Sequence, residues 1–109
     1  MMMSFLAQLI KSVDAAHLYR IIMDGGERFA FLVLDAGSRE VFSSTSAGEP
    51  AGDIRLSLED GSLLPSRGGE SSESEAHMSR EEFALISGSI RREWAKEGSP
   101  PLMVTKTYG

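Results

Sequence analysis

The sequence predicts a single α+β domain, in which a mainly antiparallel sheet of about six strands carries two helices on one face. Three observations predict this fold. Residues 29–34 are the only unbroken run of large apolar and small residues, glycine-containing turn signals separate it from other strand-forming segments on either side, and a strong helix start lies at Ser79. With 109 residues, the chain is large enough for one core and too small for two, so we expect one domain over residues 1–109.

Residues 29–34 are predicted to form the central strand. Alternate side chains of a strand point to opposite faces, so Phe29, Phe31 and Val33 share one face, and the three residues Ala30, Leu32 and Leu34 share the other. Both sets are apolar. We therefore expect both faces of this strand to be covered and both of its edges to be paired.

A helix is predicted before this strand, over residues 4–16. Its apolar positions recur at helical spacing, at Phe5, Leu6, Leu9, Ile10, Val13 and Ala16. A strand over residues 18–23 follows, and the glycines of the turn at residues 24–27 allow it to return as the central strand. A further turn at residues 35–38 and a strand at residues 39–43 complete a meander.

The middle of the chain is predicted to be largely loop. Residues 43–53 have turn composition, residues 54–58 alternate as in a half-buried strand, and a short strand at residues 63–64 ends at Pro65. Residues 66–76 contain only serine, glycine, glutamate, one arginine and one alanine, which is typical of a solvated loop.

The second helix has the clearest local signal in the sequence. Ser79 and Glu82 have the spacing of a capping box, and Met78 and Phe83 have that of a hydrophobic staple. The apolar stripe then continues through Ile86, Ile90 and Trp94, which predicts that this stripe packs on the sheet. Gly98 and the two prolines after it end the helix, and residues 102–108 are predicted to form a last strand. The predicted element order is therefore α-β-β-β-β-β-α-β.

Composition indicates an ordinary globular protein, with 41% hydrophobic and 25% charged residues. Cysteine is absent, so no disulfide can contribute to stability, and the N-terminal residues lack the basic start and the cleavage site of a signal peptide. No apolar run reaches the roughly 20 residues that span a membrane. We expect a cytoplasmic protein without a membrane partner.

Negative charge is concentrated in the middle of the chain. The net charge is −5, and residues 49–82 contain nine acidic residues against three basic ones. Such a balance argues against nucleic acid as a partner, because phosphate binding needs clustered lysine and arginine. A basic protein partner is predicted instead, and the candidate contact residues are Asp60, Glu70, Glu73 and Glu75. Their alternative role is solubility alone.

The sequence contains no pattern that identifies an enzyme or a cofactor site. Neither His17 nor His77 lies at motif spacing from a nucleophile or a second acid, so each is expected to be a solvated or capping residue. A metal site formed by His77 with Glu70, Glu73 and Glu75 is the less favoured interpretation, because the ligand spacing of known metal loops is missing. We predict neither catalysis nor a cofactor.

The general plan resembles that of immunity proteins of bacterial toxin systems. The resemblance covers the meander at residues 19–42, the acidic residues 59–75, and the helix at residues 79–97 with its closing strand. It implies a protein that occludes the active site of a toxin domain, commonly a nuclease, inside the producing cell. Two alternatives remain open. A small acidic homodimeric chaperone for a secreted protein would need an exposed apolar groove, and a small enzyme would need a histidine to meet carboxylates in a pocket.

Overall fold

A computed structural model describes residues 3–65 and 78–108. Within these residues, seven strands form one sheet, and one α-helix packs on it. The strands are β1 (Met3–Val13), β2 (Ala16–Met23), β3 (Arg28–Asp35), β4 (Glu40–Ser44), β5 (Pro50–Ser57), β6 (Leu63–Pro65) and β7 (Met103–Tyr108), and the helix is α1 (Arg80–Glu97). A short 3-10 turn, Asp24–Gly26, joins β2 to β3. The α+β class is confirmed.

The sheet is a meander with one crossover. Its strand order is β6-β5-β4-β3-β2-β1-β7, and all neighbouring strands are antiparallel. Strand β3 lies in the middle, which confirms the prediction of a central strand for residues 29–34. The chain then leaves the β6 edge, passes through α1 and returns at the opposite edge, where β7 pairs with β1.

The predicted helix over residues 4–16 is wrong, because this segment is strand β1. It pairs with β2 on one side and with β7 on the other, so its backbone groups are satisfied by sheet hydrogen bonds. A β-bulge between Leu9 and Lys11 inserts one extra residue and shifts the alternation of side chains. The apolar positions before and after the bulge therefore fall out of phase, and their spacing resembles that of a helix.

Further along the chain, the loop predicted at residues 43–53 is shorter than expected. Strand β4 continues to Ser44 and β5 begins at Pro50, so the connection is residues 45–49. A hydrogen bond from the Thr45 amide to the Glu49 carbonyl, 2.8 Å long, closes it. The loop predicted for residues 66–76 lies outside the described residues.

Helix α1 begins as the sequence predicts. The Ser79 hydroxyl accepts a hydrogen bond from the Glu82 amide, and the Glu82 carboxylate accepts one from the Ser79 amide, at 3.1 and 2.8 Å. Both Met78 and Phe83 of the predicted staple are buried. The helix ends at Gly98, which has the left-handed conformation, with φ of 76°.

An arginine on the β2–β3 turn connects that turn to the start of the helix. Arg28 forms ion pairs with Asp24 and with Glu82. Burial by itself would raise the pKa of Glu82, but the hydrogen bonds from Arg28 and Ser79 outweigh this effect and hold that pKa below its usual range. The Glu82 carboxylate is therefore ionised at neutral pH, as both the cap and the ion pair require.

The hydrophobic core lies between α1 and one face of the sheet, which we call the covered face. Phe83, Ile86 and Ile90 of the helix pack there, and Trp94 is partly buried at the end of the same stripe. The sheet contributes fully buried side chains from its central strands: Tyr19, Ile21, Ala30, Leu32, Leu34 and Val41. The prediction that this helical stripe packs on the sheet is confirmed.

The crossover is fixed by a buried tyrosine. The Tyr19 hydroxyl donates a hydrogen bond of 2.6 Å to the carbonyl oxygen of Pro101, two residues before β7 begins. Burial raises the pKa of Tyr19 well above its ordinary value, so the hydroxyl stays protonated and remains a donor. This contact places the start of β7 beside β1.

Two substitutions in α1 should change stability in opposite directions. Gly88 lies inside the helix, and a Cβ atom added there meets no atom within 4 Å. We expect Gly88→Ala to raise the free energy of unfolding by about 0.5–1 kcal/mol, because alanine loses less backbone entropy than glycine in a helix.

Ser79→Ala should lower the free energy of unfolding by about 1 kcal/mol, because the Glu82 amide loses the hydroxyl that caps the helix. Urea denaturation followed by circular dichroism measures both changes.

Ser99→Ala, at an exposed position after the helix end, is the matched control. Its free energy of unfolding should stay within about 0.5 kcal/mol of the parent value. Equal effects of Ser79→Ala and Ser99→Ala would contradict the assigned role of the cap.

Candidate protein-binding surface

Of the four acidic residues predicted to contact a partner, the structure places one. Asp60 lies in the turn between β5 and β6, at the opposite edge of the sheet from β7. Glu70, Glu73 and Glu75 lie outside the described residues, as does His77. The predicted clustering of these four acids is therefore not tested by the fold.

Asp60 is fully exposed, and its carboxylate also organises its own turn. One carboxylate oxygen accepts hydrogen bonds from the Ser62 amide, at 3.0 Å, and from the Ser62 hydroxyl, at 2.7 Å. These two bonds lower the pKa of Asp60. The residue is therefore negatively charged at neutral pH, and its exposed side chain is accessible to a partner.

Two arginines contact the same turn. Arg91 of α1 donates hydrogen bonds to the carbonyl oxygens of Leu58 and Glu59, at 3.1 and 3.2 Å. Arg39 lies 3.6 Å from the Glu59 carboxylate, and both of these side chains are mostly exposed. Gly61 is required here, because its φ is +77° and a Cβ atom would lie 3.2 Å from the Arg91 guanidinium. The negative charge of the turn is thus partly compensated by its neighbours.

The face of the sheet opposite α1 carries a patch of partly exposed apolar side chains. The register pairs Phe29 with Ile22 and Ile22 with Leu6, and residues paired in this way lie on the same face. The next row of the same face contains Phe31, Arg20 and Gln8, with Met103 at its end. We call this set the open patch: Leu6, Gln8, Arg20, Ile22, Phe29, Phe31 and Met103.

Exposure distinguishes the open patch from the covered face of the same strands. Phe29 is 50% exposed and Met103 is 58% exposed, whereas their neighbours Ala30 and Val104, which point toward α1, are 0% and 4% exposed. The prediction that both faces of the central strand are covered is therefore wrong for the Phe29 end of β3. At the other end, Val33 is buried.

A loop covers that other end. Residues 45–49 lie over Leu18, Val33 and Phe42, where they enclose a shallow pocket of about 170 Å³. Lys11 and Val13 of β1 form its outer wall. The pocket is mainly apolar and opens on the same face as the open patch.

Charged side chains on the sheet face opposite α1 form two clusters. Toward β4 and β5, Glu40 and Arg55 form a largely buried ion pair with a distance of 2.9 Å. Toward β1 and β2, Arg20 donates a hydrogen bond of 2.9 Å to the Gln8 side-chain oxygen, and among residues 3–65 and 78–108 no carboxylate forms an ion pair with Arg20 or Lys11. The face is therefore basic on the side of the open patch.

Of the two histidines, His17 lies within the described residues, at the end of the β1–β2 hairpin. The Nδ1 atom of His17 is 2.8 Å from the Ser12 hydroxyl, at an exposed position. Within the described part of the chain, no three histidine or acidic side chains lie together as metal ligands would. The predicted alternative metal site at His77 falls outside that part.

Sequence reasoning missed the open patch, although two signals were present. The sequence places Phe29 and Phe31 on one face of the central strand, but both faces are predicted to be covered, so neither side chain is expected to be exposed. Leu6 was assigned to a helix, so its pairing with Ile22 was not predicted. Reading residues 4–9 as a strand places Leu6 and Gln8 on one face, but only the strand register places Leu6 beside Ile22.

Comparison with family models, with characterised proteins and with solved structures finds no match for this chain. Separately, no helix in the described residues is both long and apolar enough to cross a membrane.

The Asp60 turn provides a test of the local electrostatics. Ser62→Ala removes one of the two donors to the Asp60 carboxylate, so we expect the pKa of Asp60 to rise toward its usual value of about 3.9. A lowered folded-state pKa stabilises the fold above the unfolded-state pKa, and this contribution disappears as the pH falls through the folded-state value. The pH titration of the Asp60 carboxyl carbon by NMR measures the change.

Ser46→Ala, in the exposed loop between β4 and β5, is the control and should leave the titration of Asp60 unchanged. An unchanged Asp60 titration in Ser62→Ala would contradict the contribution of the Ser62 hydroxyl to the lowered pKa.

Proposed function

We propose that this chain is a non-catalytic binding protein, and specifically an immunity protein that neutralises a bacterial toxin domain, such as a nuclease, by occluding its active site. The observation that carries the proposal is the open patch, because apolar side chains that remain at least partly exposed on neighbouring strands are typical of protein-binding surfaces. Occlusion requires a shaped surface and no reactive group on the inhibitor.

Electrostatic steering is the role proposed for the acidic residues. Asp60, Glu70, Glu73 and Glu75 would contact the basic rim of the toxin active site. Asp60 supports this role because its carboxylate is exposed and its pKa is lowered. Charges at the rim of an interface act mainly on the association rate, since they guide the encounter before close contact is made.

Charge reversal tests this role directly. We expect a variant with Asp60→Lys, Glu70→Lys, Glu73→Lys and Glu75→Lys to associate with the toxin at least about tenfold more slowly at low salt, and to show a weaker dependence of the rate on salt. The dissociation rate should change less. Stopped-flow kinetics with a purified candidate toxin domain measures both rates.

A control of equal charge separates a local effect from that of net charge. Glu73→Lys with Glu75→Lys should slow association clearly more than Glu93→Lys with Glu97→Lys, since the latter two glutamates lie beside Met103 at the β7 edge, opposite the edge that carries Asp60. Equal slowing by both pairs would show that only net charge matters. Failure of the parent chain to protect cells that express the toxin would refute the immunity function itself.

A second candidate is a homodimeric chaperone for a secreted protein. The specific observation in its favour is the same exposed apolar surface, which such a chaperone would use to hold an unfolded segment. This candidate predicts that the chain is a dimer. Light scattering should then give twice the chain mass of 11.8 kDa, whereas a mass of one chain at micromolar concentration would remove the candidate.

A further inference from the structure

The open patch differs from an ordinary exposed sheet surface in both composition and position. Leu6, Ile22 and Phe29 form one continuous apolar row across β1, β2 and β3. Neighbouring strands lie about 4.8 Å apart, so the row is roughly 10 Å long. Phe31 extends it along the central strand, on the same face as Phe29. These side chains present a surface that is wide enough for one helix of a partner.

The same patch is positively charged, although the chain as a whole carries −5. Arg20 lies between Gln8 and Phe31 in the register and is exposed, and Lys11 follows along β1. The acidic residues described on this face lie toward its other end, where the exposed Glu49 belongs to the 45–49 loop. Asp35 accepts hydrogen bonds from the amides of Gly37 and Ser38, and Glu40 pairs with Arg55.

We infer that the open patch is a docking site for an apolar, acidic helical segment of a partner protein. The apolar stripe of that helix would lie along the row from Phe29 to Leu6, as α1 lies on the covered face. Carboxylates on one flank of the helix would meet Arg20 and Lys11. The inference rests on the proposal that the chain is a binding protein, but it does not require the partner to be a toxin.

Two other occupants fit the observations less well. A second copy of the chain, docked face to face about a two-fold axis, would bring Arg20 and Lys11 of both copies together, and no residue of the open patch itself is acidic. Single-stranded nucleic acid would stack on Phe29 and Phe31, but Leu6 and Ile22 offer no aromatic face, and two cations are few for a phosphate backbone.

A pair of synthetic peptides tests the inference on the full chain. Each is a helix of about 14 residues with leucine at positions i, i+3, i+4 and i+7; one peptide has glutamate on the flank, and the other has lysine at the same positions. We expect saturable binding of the glutamate peptide, measured by fluorescence anisotropy, and at least about tenfold weaker binding of the lysine peptide.

Substitutions in the patch locate the binding. Arg20→Glu and Phe29→Ser should each raise the Kd of the glutamate peptide by about tenfold or more, and both residues are exposed, so the fold should be retained. Arg92→Glu and Leu85→Ser are the matched controls, since they make the same changes at exposed positions of α1. They should change the Kd by less than about twofold. Circular dichroism checks that all four variants fold.

The inference is overturned if the glutamate peptide does not bind, if the lysine peptide binds equally well, or if the patch variants behave like the controls. It is also overturned if sedimentation shows a dimer that Phe29→Ser dissociates, because a second copy then occupies the patch. Binding of an oligouridine probe that depends on Phe29 would instead assign the patch to nucleic acid. None of these variants alters Asp60, Glu70, Glu73 or Glu75, so failure of the toxin assay and failure of this inference remain separate results.

Discussion

Coverage of the central strand is the constraint on which the structure depends. The alternating side chains of β3 are apolar on both faces, so the strand needs neighbours at both edges and a covering layer over most of its side chains. On one face, Ile86 and Ile90 of α1 belong to the same buried cluster as Leu32 and Leu34, and all four side chains are fully buried. Each such side chain contributes roughly 1.5–3 kcal/mol of hydrophobic stabilisation.

The position of α1 on that face is determined from both ends. The capping box and the staple fix its first turn, and Arg28 connects this turn to the loop that precedes β3. At the other end, Tyr19 holds the carbonyl of Pro101 and so directs the chain onto the free edge of β1. The helix therefore crosses the sheet between two contacts that are far apart in sequence. An exposed surface pair such as Arg28 with Asp24 contributes little by itself, so most of this stabilisation comes from packing.

The opposite face is covered unevenly, and this difference gives the molecule its candidate binding surface. The 45–49 loop shields Val33 and Phe42, whereas Phe29 and Ile22 remain accessible. The charges follow the same division, with a compensated ion pair near the loop and Arg20 near the open patch. An acidic chain thus has a basic, apolar area on its sheet. The acidic turn at Asp60 lies at the other edge of that sheet, so the molecule has two surfaces of opposite character.

The sequence by itself determined the features that depend on local interactions. The start of α1 follows from Ser79, Glu82 and the staple, because these contacts form between residues at most five positions apart. The central position of β3 follows from its apolar alternation, and the β2–β3–β4 meander follows from the turn glycines and Asp35.

Features that depend on contacts between residues far apart in the sequence were decided only by the tertiary structure. Residues 3–13 have helical spacing of apolar side chains, yet they form a strand because β2 and β7 both pair with them and a bulge resets their alternation. The predicted acidic site could be placed only at Asp60, and the open patch was not predicted at all. Whether Leu6, Ile22 and Phe29 become neighbours depends on strand register, which is set by pairings across the whole sheet and by no local pattern.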